Sequence, residues 1–202
     1  MNVPLAAETA QTVRRAIVHA AVGLGIAVAA FLLPRGVMLV VLGAAALGVL
    51  LIDLIRLRRR GFNEWFCRLV RPFLRGYEST RLLGATFLIV SDLAVYTVFD
   101  RPVAVLAMSY LAIGDPLATV IGVHFGRWKL FRKNLEGVLV CLAACLAAGS
   151  IWRYAGLDVP IAIPIAGALA AAVAESLPIS VDDNLTIPLL SGLVMWVVSF
   201  AV

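Results

Sequence analysis

Long apolar runs alternate with short connectors rich in arginine, proline or glycine along almost the whole chain. Runs of roughly twenty residues are what a helix needs to cross a bilayer. Seven can be marked: Ala16–Leu33, Val37–Ile55, Leu82–Phe99, Val103–Phe125, Leu135–Trp152, Ile161–Leu177 and Leu185–Val202. They predict an all-α, polytopic integral membrane protein, built as one membrane domain over residues 1–202. The connector "GFNEWFCRLVRPFLRGY" has a different pattern. Phe62, Trp65, Phe66, Leu69, Val70, Phe73 and Leu74 recur at helical spacing, with Arg68, Arg71 and Arg75 elsewhere on the wheel. This predicts an amphipathic helix lying in the membrane interface, kinked at Pro72.

Composition and charge sharpen the class. Of 202 residues, 62% are hydrophobic and only 14% charged, which leaves too few polar faces for a soluble helical core. Placing the connectors alternately on two sides puts every basic residue except Arg35, Arg101 and Arg153 on one of them. By the positive-inside rule the amino terminus is then cytoplasmic and the carboxyl terminus outside. The net charge of +5 therefore belongs to membrane topology and lipid headgroups, not to nucleic acid. The first run carries a histidine, His19, early in its apolar stretch and lacks a clear small-residue cleavage site after it, so it reads as a retained helix, not a leader. The three cysteines have no metal or redox spacing; Cys141 and Cys145 read as small apolar packing residues.

Ionisable side chains inside apolar spans are costly and mark function. His19, Asp92, Asp115 and Glu175 qualify, with Asp92 read as structural. Asp115 lies in "AIGDPLAT", where Pro116 removes a backbone donor and Gly114 tolerates strain, so the helix is expected to break there beside a polar cleft. In the loop Gly126–Gly137, Arg127, Lys129, Arg132 and Lys133 concentrate positive charge ahead of a helix starting near Leu135, a setting suited to phosphate. Gly126 would let a ligand approach the backbone. Asp182, Asp183 and Asn184 either cap the last helix or hold a divalent cation through oxygen ligands.

Four blocks in order carry a resemblance: "RRAIVHAAVGL", "LAIGDPLATVIGVHFGRWKL", "RKNLEGVL" and "AESLPISVDDNLTIPLLSG". The chain resembles the CTP-dependent polyprenol and lipid kinases, a family that includes dolichol kinase, phytol kinase and the yeast-type diacylglycerol kinase. Asn134 stands where that family has serine or threonine, and Arg127 where lysine is frequent. The chain also lacks the extra amino-terminal helices of eukaryotic dolichol kinases.

The resemblance implies transfer of the γ-phosphoryl group of CTP to the hydroxyl of a membrane lipid alcohol, with Mg2+ as cofactor. Nucleotide contacts fall on Gly126, Arg127, Lys129, Lys133, Asn134, Glu136 and Gly137, Glu136 orienting a loop lysine. Metal contacts fall on Asp182, Asp183, Asn184 and Asp115. Asp115 or Asp183, helped by His19 and Glu175, serves the chemistry. The rival enzymatic reading is cytidylyl transfer to phosphatidate, whose long carboxy-terminal signature the chain lacks. A transporter built on a broken helix at Gly114–Pro116 is the non-enzymatic rival.

Overall fold

A computed structural model describes residues 5–131, 133–178 and 181–202, with the side chains of residues 5–8 outside the description. Among the described residues there are eight α-helices: α1 (Leu5–Leu32), α2 (Arg35–Arg58), α3 (Arg60–Leu69), α4 (Gly84–Val98), α5 (Arg101–Phe125), α6 (Leu135–Tyr154), α7 (Ala162–Ser176) and α8 (Asp183–Val198). A two-residue hairpin, β1 (Lys129–Leu130) and β2 (Lys133–Asn134), joins α5 to α6 with Lys129 opposite Asn134. Each of the seven apolar runs became a helix. Four of them, α1, α2, α5 and α6, are long and apolar enough to cross a membrane, and α4, α7 and α8 are shorter.

α5 is the axis of the molecule. It packs against α1, α6, α8 and α7, and every residue from Val103 to Ala112 is buried. Small residues let its neighbours close in, as in membrane helix pairs generally. A Cβ on Gly23 of α1 would sit 2.6 Å from Ala112 Cβ, and one on Gly114 would sit 2.9 Å from Cys141 Sγ of α6. Two polar contacts tie this core: Tyr110 donates to the Pro164 carbonyl at 2.8 Å and Trp152 to Ser109 Oγ at 2.7 Å. α2 is the contrast. It buries one stripe, including Met38, Leu42 and Ala46, against α4 and exposes Val40, Leu47 and Leu51. Apolar side chains turned outward along a whole helix fit a hydrocarbon surround, not water.

Two expectations need correction. α5 runs unbroken through Gly114–Pro116. Pro116 costs one backbone bond, but packing on several sides holds the helix together, as it does for proline in buried membrane helices. The broken-helix ion site that a transporter requires is therefore absent from α5. The second concerns Pro72. The amphipathic segment does not kink there: α3 ends at Leu69, and Arg71–Phe73 forms a separate 3₁₀ turn. Pro72 has no N–H to give the Arg68 carbonyl and its ring crowds that group, so the α-helix stops ahead of it.

Helix length sets the depth of the site. At about 1.5 Å per residue, α5 is about 37 Å long, while α7 and α8 are only about 23 Å. The end of α7 and the start of α8 meet α5 at Asp115, well short of the end of α5, and a recess opens beside them. Asp115, ten residues before Phe125, lies about 15 Å down α5.

Candidate functional site

Three helices each bring one carboxylate to the floor of the recess. Asp115 comes from the middle of α5, Glu175 from the last turn of α7 and Asp183 from the first residue of α8. One oxygen from each lies within 4.8 Å of the others. Asp115 and Glu175 are buried and Asp183 is half-buried. Lys133, on β2, donates to Glu175 Oε1 at 2.8 Å and to Asp183 Oδ2 at 2.7 Å. Burial alone would lower the Lys133 pKa, but the Glu175 and Asp183 carboxylates outweigh it and hold the ammonium above the ordinary lysine value. Three acidic side chains share one lysine, and Glu175 Oε2 is buried without a hydrogen-bond partner among the described residues. That donor set fits a hard divalent cation, which takes carboxylate oxygens together with phosphate and water.

The neighbouring aspartate is differently engaged. Asp182 is the N-cap of α8: its Oδ1 accepts from the Asn184 backbone N–H at 3.0 Å and from Asn184 Nδ2 at 2.7 Å. Its other oxygen faces Arg75 Nη1 at 3.9 Å. Asn184 is buried, with Oδ1 unpartnered among the described residues and its carbonyl accepting from Ser91 Oγ. The capping alternative thus describes Asp182 and Asn184, while Asp183 joins the cluster. His19 of α1 approaches from the other side, Nδ1 lying 3.7 Å from Asp115 Oδ2.

The basic loop is divided in the same way. Lys133 reaches the carboxylates, whereas Arg127 and Lys129 are exposed on the hairpin and Arg132 lies outside the described residues. Glu136 does not orient a lysine; its carboxylate accepts the backbone N–H groups of Arg127 and Trp128 at 2.9 and 3.2 Å, closing the α5–hairpin connection. Asn134 Nδ2 donates to the Gly122 carbonyl at 2.7 Å. Gly126 is pressed against the Asn134 side chain, and a Cβ on Gly137 would sit 2.8 Å from the Ala118 carbonyl oxygen. Packing within the chain is thus enough to require both glycines. Asp92 is buried in α4 with no hydrogen-bond partner for either oxygen among the described residues, away from the cluster.

Sequence reasoning missed the segment that forms the recess's opposite wall. Arg75 and Tyr77 border two cavities. One, of about 420 Å3, contains Asp115 and His19, and the other, of about 720 Å3, contains Lys133, Asp182, Asp183 and Arg81. A buried pair on α2 pins this segment. Asp53 accepts from Arg56 Nε, and its second oxygen accepts from Leu83 N–H at 2.9 Å and Thr86 Oγ1 at 2.6 Å. Arg56 in turn donates to the carbonyls of Glu78 and Arg81. Glu78 accepts the N–H groups of Arg75 and Gly84 and faces Arg15 at 3.5 Å. The signal was present in "LLIDLIRLRRR": an Asp and an Arg three apart at the end of an apolar run.

No family model matches the chain, and no solved structure does. Curated relatives do. CTP-dependent diacylglycerol kinase 1 of Saccharomyces cerevisiae is 27% identical over 171 residues, 72% of this chain and 58% of that protein. The phytol kinase of a Synechocystis species is 36% identical over 104 residues, 48% of this chain and 45% of the relative. A probable chloroplastic phytol kinase of Triticum aestivum is 29% identical over 137 residues, 59% of this chain and 45% of the relative. The relatives are lipid kinases. They match the family that the four sequence blocks resemble, and the chain spans about half the length of each.

Proposed function

We propose that the protein transfers the γ-phosphoryl group of CTP to the hydroxyl of a membrane lipid alcohol, of the phytol, polyprenol or diacylglycerol kind. The observation that carries this reading is the convergence of Asp115, Glu175 and Asp183 with Lys133 at the floor of a recess flanked by Arg75. Phosphoryl transfer asks a protein mainly to position its reactants and neutralise charge. In this reading Asp183 and Glu175, with Asp115, would hold Mg2+, which would supply positive charge to neutralise the triphosphate. Lys133 moves its ammonium from carboxylate to phosphate, and Arg75 and Arg81 line the path of the triphosphate. Arg127 and Lys129 contribute field at the entrance. Asp115, backed by His19, takes the proton from the acceptor hydroxyl as that oxygen bonds to phosphorus and the bond to the β-phosphate oxygen breaks, releasing CDP.

The same proposal includes topology. All seven apolar helices span the bilayer, α3 lies in the interface, and the amino terminus and the recess face the cytoplasm with the carboxyl terminus outside. The distribution of basic residues supports this arrangement. The test uses purified protein, Mg2+ and labelled CTP with a panel of lipid alcohols. Label from the γ-phosphate is expected in the lipid. Label from the α-phosphate appearing there instead would replace the proposal with cytidylyl transfer. Running all four nucleotides in parallel tests the CTP assignment.

A further inference from the structure

Beside the polar recess lies a second cavity of opposite character. It has a volume of about 310 Å3 and lies between α1, α4 and the 66–74 segment, lined by Val18, Val22, Phe66, Phe73, Leu88 and Ile89. α1 and α4 do not pack along their length, and Val18 and Val22 are 44% and 47% exposed, so the cavity is a groove open sideways. His19 borders both this groove and the recess that contains Asp115. Its imidazole is the partition: Nδ1 faces Asp115, and Nε2 is buried with no partner among the described residues, on a side chain only 10% exposed.

We propose that this groove holds the hydrocarbon chain of the acceptor and presents its hydroxyl to His19 Nε2. The inference rests on the phosphoryl-transfer reading above and adds to it the acceptor's seat and its polar contact. The dimensions select the occupant. A helix about 10 Å across does not fit, and the volume is at the lower end of the ~300–1,000 Å3 of small-molecule sites. One apolar chain fits, with its remainder in the bilayer. The polar end of the groove is equally selective. Arg15 reaches it but faces Glu78 at 3.5 Å, so the arginine is already paired and the groove has no spare cation for a phosphorylated headgroup. An unpartnered imidazole nitrogen matches a single hydroxyl, which can donate to it or accept from it according to tautomer.

Photolabelling tests this without turnover. A long-chain primary alcohol bearing a diazirine, incorporated with wild-type protein in lipid nanodiscs without nucleotide, is expected to label residues around Val18–Val22 and Ala85–Ile89. Labelling spread over the exposed face of α2 and absent from the groove overturns the proposal. The methyl ether of the same alcohol should compete about fivefold less well than the free alcohol, and equal competition overturns the His19 contact. Ala85 is exposed at the groove, so Ala85→Trp fills it from the outside. That variant, and Ala85→Leu to a smaller degree, should raise the KM for lipid about tenfold while leaving the KM for nucleotide within about twofold. An unchanged lipid KM in a folded Ala85→Trp protein overturns the seat. Groove labelling in a protein that transfers no phosphate would uphold the groove and reject the kinase reading, so the two can fail separately.

Discussion

The two ends of the helix bundle use arginine in opposite ways. At the end where α1 finishes and α5 begins, arginines close the fold. Arg101 donates to the carbonyls of Ala30 and Phe31, Arg35 to those of Tyr96 and Phe99, and Arg153 to that of Val159. They satisfy carbonyls that helix ends and loops leave open, in place of water. At the other end Lys133 and Arg75 face carboxylates and border cavities, and Arg15 faces Glu78. The same chemistry serves stability where its partner is a fixed carbonyl; where its partner is a carboxylate beside a cavity, the proposed function has it exchange that partner for metal or phosphate. Arg56, at the recess end, keeps the first role through the carbonyls of Glu78 and Arg81, so the partner and not the position separates the two.

The strongest way to break this contrast is at the floor of the recess. Asp183→Ala should lower turnover by about 10³-fold, the scale of losing a key electrostatic group, while the protein still elutes as a folded species in detergent. Normal turnover would remove the metal assignment. Next comes Lys133→Ala, expected to lower kcat/KM for nucleotide about 10²-fold, with Lys133→Arg restoring part of it. Because the flanking carboxylates raise the Lys133 pKa, its ion pairing is complete below the ordinary lysine value and fades only as pH rises through the raised one. Any loss of activity with rising pH near neutrality should therefore persist unchanged in Lys133→Arg.

Smaller effects sharpen the comparison. Asp53→Asn leaves Arg56 buried without its counter-charge and should cost about 3–5 kcal/mol of stability. It should also raise the KM for nucleotide, since Arg56 holds the backbone of the Arg75 segment; a thermal melt beside a KM measurement reads both. Arg101→Ala should cost about 1–3 kcal/mol for two unpaired carbonyls and leave kcat within about twofold, seen as a lower melting temperature at constant turnover. Arg127→Ala, on the exposed hairpin, should change turnover less than about threefold. A larger loss would bring the hairpin into the nucleotide site.

Much of this was legible in the chain. Apolar run length announced each of the seven bundle helices, because burial in hydrocarbon or core demands the same run of side chains. Asp115 and Asp183 were legible because carboxylates beside greasy residues need a reason. The central place of Glu175 was not, since it depends on where α7 ends relative to α5, a relation between distant segments. "AIGDPLAT" misled for the same reason: local rules predict a break, and packing from several neighbours overrules them. Asp53 and Arg56 were visible, yet what they hold, a connector some thirty residues on, was not.

The difference in length between α5 and the α7–α8 pair makes depth a matter of counting residues. One added turn in α7 or α8 would shift Glu175 or Asp183 by about 5.4 Å, more than the spread of the three acids, and dissolve the cluster without touching any of its members. The bundle thus acts as its own ruler, and an added turn in either of these two helices should be poorly tolerated.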